Sequence, residues 1–123
     1  MDKLTNYRHY IQALLQEQTQ GQTIGGDIET EVIFDLDRDR YLLIDLGWQE
    51  HQRIYNCVIH LEIKDSKIWI QRNQTDKPIA DVLIAMGVVK EDIVLGLQPP
   101  YIRQYINLGI TQPNNFKYQK RSS

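Results

Sequence analysis

The 123-residue chain has a single cysteine. No internal disulfide can form, and a reducing compartment is expected. No apolar run approaches the ~20 residues that a membrane-spanning helix needs. The opening MDKLTNYRHY is polar and lacks the apolar core of a signal peptide. The expected location is therefore cytoplasmic. No internal repeat, low-complexity tract or internal linker is present. Two domains would each be too small to bury a good core, so one is expected.

The usual chemical signatures are missing too. His9, His51 and His60 lie far apart, on a helix, in a turn and on a strand, and no HxH, CxxC or HExxH spacing occurs. No zinc site is expected. Gly25-Gly26 is not a phosphate loop. Asp35, Asp37, Asp39 and Asp45 resemble an acidic cluster but lack the calcium-loop pattern. Glu62-Ile63-Lys64 followed by Asp65 reads as a weak nuclease-like ExK pattern, and an alternating exposed strand yields the same triplet as a solvated face. Cys57 falls in an apolar stripe with Tyr55, Ile59 and Leu61, where a thiol behaves as a small hydrophobe. No catalytic residue, cofactor or metal is expected, and the chain reads as a non-enzyme.

What is present is an ordinary globular composition, 41% hydrophobic and 24% charged. Leu4, Tyr7, Ile11, Leu14 and Leu15 follow helical spacing, with Asp2 placed to cap the start and Gly21 beyond the end. Four alternating segments follow, at residues 28–36, 41–49, 53–64 and 67–72, with Asp65-Ser66 as a two-residue turn. A second helix starts near Asp76, carries the stripe Ile79, Val82, Leu83 and Met86, and stops at Gly87. Residues 93–97 read as a short extended segment, and 103–110 as a short helix or an edge segment. The expected fold is α+β: an N-terminal helix, a four-stranded antiparallel meander, a second helix and a short C-terminal extended segment. Both helices should cover one face of the sheet. In the second strand Leu42, Ile44, Leu46 and Trp48 are read as the covered side. Tyr41 and Leu43 then fall on the other, a mixed face expected to meet a partner.

Charge is unevenly placed. Residues 111–123 form a basic tail with Lys117, Lys120 and Arg121 and no acid, whereas residues 1–110 hold 11 basic against 16 acidic side chains. Phosphate binding draws on Lys and Arg, so a body of this sign is not expected to bind DNA directly. A basic protein partner suits it better.

Several runs, taken together, are familiar. They are Gly47-Trp48, the stretch from Arg53 to His60, Ile63 to Gln71, Asn73 to Thr75, Ile79-Ala80, Gly87 to Gly96 and Pro100 to Arg103. With the opening helix they resemble the XisI family, the fdxN element excision controlling factors of cyanobacteria, in order and over nearly the whole chain to Arg103. Ser66 and Val89 stand where the family commonly has glycine and proline.

The resemblance implies a single domain over residues 1–110 and a regulatory role in DNA rearrangement during heterocyst development. It implies a companion controlling factor of the XisH type, nuclease-like in fold, as the bound partner, with a site-specific recombinase involved indirectly. The alternatives are an excisionase-like DNA binder and an antitoxin-like nuclease inhibitor. Aromatic and cationic side chains dominate protein contacts, so Tyr41, Trp69, Arg103 and His60 are the interface candidates. A homodimer through a sheet edge or the mixed face is a further reading.

Overall fold

The computed structural model describes residues 2–19, 27–103 and 105–106. Helix α1 (Lys3–Glu17) begins where the Asp2 carboxylate accepts a 2.8 Å hydrogen bond from the Thr5 backbone N–H. That satisfies one of the orphan donors of the first turn. Tyr7, Ile11, Leu14 and Leu15 then recur at helical spacing and are all buried.

The chain continues through β1 (Asp27–Asp35), β2 (Arg40–Gln49), β3 (Gln52–Lys64) and β4 (Lys67–Asn73), paired antiparallel in sequence order. Helix α2 (Ile79–Met86), a 3-10 turn (Lys90–Asp92), β5 (Ile93–Val94) and helix α3 (Pro100–Arg103) follow. The sheet has five strands and is mixed, because β5 pairs parallel to β4. This corrects the expectation of four antiparallel strands. A two-residue strand carries no periodicity of its own, and only the crossover through α2 returns the chain in the parallel sense.

The covered face of the sheet carries Tyr41, Leu43, Ile59, Leu61, Ile68 and Ile70, each at most 3% exposed. Ile11 and Leu15 of α1 and Leu83 of α2 complete the core. Full burial of one such side chain is worth about 1.5–3 kcal/mol. The second strand therefore faces opposite to the sequence expectation. Both sides of β2 are apolar, so its alternation alone does not choose a side. Its register does: Val32 and Phe34 of β1 pair with Leu43 and Tyr41 and join the core.

Strand β3 switches faces midway. Leu43 pairs with Ile59 and Ile44 with Cys57, which leaves Val58 as an extra residue. Such a bulge resets alternation. Val58 and Ile59 both enter the core, while Cys57 and Tyr55 turn to the open face. The stripe expected to join Tyr55 and Cys57 to Ile59 and Leu61 is thus split. A second shift, at Gln71, sits between the pairs His60–Arg72 and Leu61–Ile70.

Polar ties at Asp92 and Asp39 fasten α1. The Tyr7 hydroxyl donates to Asp92 Oδ2 at 2.6 Å, where Lys3 also arrives at 3.1 Å. Arg8 donates to both oxygens of Asp39, at 2.8 and 3.2 Å, and Asp39 Oδ1 also accepts from the Tyr41 hydroxyl at 2.9 Å.

Candidate functional site

The open face of the sheet, away from the helices, holds three of the four sequence-selected interface residues. His60 and Glu62 are two apart on β3 and so project to the same side. Register then places Trp69 of β4 across from Glu62. His60 Nε2 lies 2.9 Å from Glu62 Oε2, and Arg40 Nε lies 3.4 Å from the same oxygen. Gln71 Nε2 donates to Glu62 Oε1 at 3.4 Å. With its side chain 12% exposed, Glu62 has three polar neighbours, His60, Arg40 and Gln71, within 3.4 Å. The ExK triplet resolves into this network: Glu62 is engaged by it, and Lys64 is turned to an aromatic ring.

That ring is Trp69. Lys64 Nζ stands 4.1 Å from its centroid and Arg103 Cζ 5.5 Å, both within cation–π range. The indole N–H donates to the Lys64 carbonyl at 3.1 Å, which fixes the ring's tilt. Arg103 has a second task. Its Nε donates to the Leu95 and Gln98 carbonyls at 2.8 and 2.9 Å, closing the segment after β5. Tyr101 and Tyr105, 69% and 76% exposed, flank it. The sequence reading did not select these tyrosines. Their placement in and just after α3, beside an arginine, was the available signal.

Tyr41 is the exception. It is 0% exposed and lies on the covered face beneath α1, so it offers no surface to a partner. Burial, helped by the Asp39 carboxylate, pushes its phenol far above the ordinary 10.0 and keeps it a donor. Cys57 donates weakly to the Ile59 carbonyl at 3.5 Å, and burial raises its thiol pKa, away from nucleophilic character. Among the described residues no three His, Cys, Asp or Glu side chains gather as metal ligands. A cavity of about 140 Å³ between Ile70, Pro78, Ile79, Leu95 and Leu97 is well below the ~300 Å³ at which small-molecule pockets begin. No described helix is long and apolar enough to cross a membrane.

Several of the quoted runs have structural work that the geometry explains. Gly47 has φ +148°, and a Cβ there would collide with the Asp27 carbonyl oxygen, so β1 can approach only a glycine. Asn73 Oδ1 accepts from the Thr75 N–H and hydroxyl at 2.9 and 2.6 Å, and Asn73 Nδ2 donates to the Lys77 carbonyl at 2.8 Å. This turns the chain from β4 into α2. Gly87, at φ +127°, ends α2.

The comparisons agree with that reading. No curated protein matches the chain. The crystal structure of a XisI-like protein from Anabaena variabilis ATCC 29413 is similar at 45% identity and a TM-score of 0.81, over 88% of this chain and 99% of that one. The crystal structure of the fdxN element excision controlling factor XisI from the same organism is similar at 33% identity and a TM-score of 0.74, over 83% and 99%. The family model described as XisI protein matches residues 1–110. The family model and the likeness at 45% identity show that the chain belongs to the XisI family.

Proposed function

We propose that this chain is a non-enzymatic controlling factor for excision of a DNA element of the fdxN type. It acts by docking on a nuclease-like companion protein of the XisH type. One observation supports the docking site above others: Trp69 lies half-buried at the edge of an open sheet face, attended by Lys64 and Arg103, and the exposed Tyr101 and Tyr105 stand two residues either side of Arg103 in the chain. Tryptophan, tyrosine and arginine dominate the energetics of protein interfaces. Residues 1–110, with 11 basic against 16 acidic side chains, repel a phosphate backbone and favour a protein partner. In this reading His60 and Glu62 set the floor of the docking corner and Trp69 is its anchor.

Co-expression with an XisH-type companion, followed by affinity capture, tests the proposal. Wild-type chain should retain the companion in stoichiometric amount, and Trp69→Ala should lose most of it while keeping its far-UV spectrum. Retention unchanged in both Trp69→Ala and Tyr101→Ala would move the site elsewhere.

A further inference from the structure

Strand β2 offers the open face an apolar spine of Leu42, Ile44, Leu46 and Trp48. Ile44 is only 5% exposed although no described helix covers it, whereas Ile33, Trp48 and Tyr55 around it are 47%, 48% and 69% exposed. Leu42 and Leu46 on either side of Ile44 are partly exposed, and exposed apolar side chains grouped on one face mark an interaction site. The charges beside the spine are sorted by sign. On one side β1 presents Asp27, Glu29, Glu31 and Asp35 to the open face. On the other, β3 and β4 present Arg53, Lys64, Lys67 and Arg72, with Glu62 already engaged by its own neighbours.

We propose that this face is occupied by a second copy of the chain, stacked sheet on sheet about a two-fold axis that runs along β2. Two isologous stackings of the open faces exist. An axis across the strands lays β1 over its own copy, acid on acid. An axis along the strands lays β1 over β3 of the other sheet, whose open face carries Arg53 and Lys64 and whose Cys57 carbonyl is reached by Arg72, and sets the β2 spine on itself. Asp27 then stands across from Arg53 of the partner subunit, since both lie in register with Trp48, while Asp35, paired with Arg38, stands across from Glu62 of the partner subunit, since both lie in register with Arg40. Like charges facing each other cost several kcal/mol across an interface, so the charge pattern selects the second arrangement. The same acids oppose an edge-to-edge dimer through β1, which would set one acidic strand against another.

Sheets stacked this way lie ~10 Å apart with their strands within about 30° of each other. Three strands at ~4.8 Å spacing, about eight residues long, give a flat patch of ~400 Å² before side-chain relief is counted. That is below the ~800 Å² per partner of a standard interface, so dissociation in the micromolar range is expected. Strand β4 has no strand above it in this stack. Trp69 of each copy stays open, but β1 of the second copy then lies over His60 and Glu62 of β3, so this self-association competes with a companion for the floor of that corner.

Sedimentation velocity of the full chain alone, from about 2 to 200 µM, tests it. The expected result is a concentration-dependent dimer that weakens as salt is raised. Tyr55→Asp, at an exposed position, and Leu46→Glu should each weaken it at least ~10-fold, because a two-fold interface meets every change twice. The double variant Glu29→Lys, Glu31→Lys should weaken it as well. A monomer throughout the range overturns the proposal. A dimer that salt strengthens, or that Tyr55→Asp leaves unchanged, also overturns it. If Leu46→Glu fails to fold, Tyr55→Asp decides alone.

Discussion

Arg103 stacks on Trp69 at 5.5 Å while its Nε holds the Leu95 and Gln98 carbonyls, so one guanidinium both shapes the chain end and builds the open-face corner. The two tasks separate by mutation. Arg103→Ala should lower stability and companion affinity together. Trp69→Ala should lower affinity about 30-fold, the ~2 kcal/mol of a hot spot, with a smaller loss of melting temperature. Titration calorimetry beside thermal melts distinguishes the two. An equal affinity in Trp69→Ala removes the corner from the account.

Tyr41 should behave as a core residue. Its hydroxyl is buried against Asp39, which keeps Arg8 as a partner when the hydroxyl is deleted. Tyr41→Phe should cost about 1 kcal/mol in urea melts, and Asp39→Ala more, because it strands both the hydroxyl and the guanidinium. Neither should alter companion affinity in protein that remains folded.

Acid should unfold the chain partly through two carboxylates. The Arg8 hydrogen bonds hold Asp39 below the ordinary 3.8, and the Tyr7 hydroxyl, with Lys3 beside it, does the same for Asp92. A carboxylate with a depressed folded pKa adds stability that is complete above its unfolded pKa and is lost as pH falls through the folded one. The loss attributable to this pair therefore belongs below about pH 4. Asp92→Asn should be less stable than wild type at pH 7, and the gap should narrow as pH drops below 4. A gap that stays constant in pH-resolved urea melts would contradict this.

Two turn positions give opposite signs. Asp65 and Ser66 have φ of +56° and +63°, the pattern of a type I′ hairpin, which favours glycine at its second residue. Ser66→Gly should raise stability by about 0.5–1 kcal/mol. Gly47→Ala drives a methyl group into the Asp27 carbonyl at a positive φ and should cost at least ~2 kcal/mol. Differential scanning calorimetry reads both.

The contrast between residues shows what sequence reasoning reached. Asp2 as a cap, Gly87 as a stop and Asp65-Ser66 as a turn are local chemistry, and all three hold. The side of β2 that is covered was not local, because Tyr41, Leu43, Leu42 and Leu46 are apolar on both sides and only the pairing with β1 decides. The bulge at Val58 left no mark in an apolar run, so Cys57 and Ile59 were placed together when they face apart. Trp69 and His60 were chosen for their chemistry, and the fold brought them to one face with Arg103. The hydrogen bonds that give Arg103 its second task run to carbonyls, which carry no side-chain signal. What remained of the functional reading came from family resemblance.

The central claim is that this chain works by binding a companion. Size-exclusion chromatography with light scattering on the co-expressed pair tests it most directly. The account predicts one peak of stoichiometric complex that persists at about micromolar concentration. Two proteins eluting separately, each at its own mass, would contradict it.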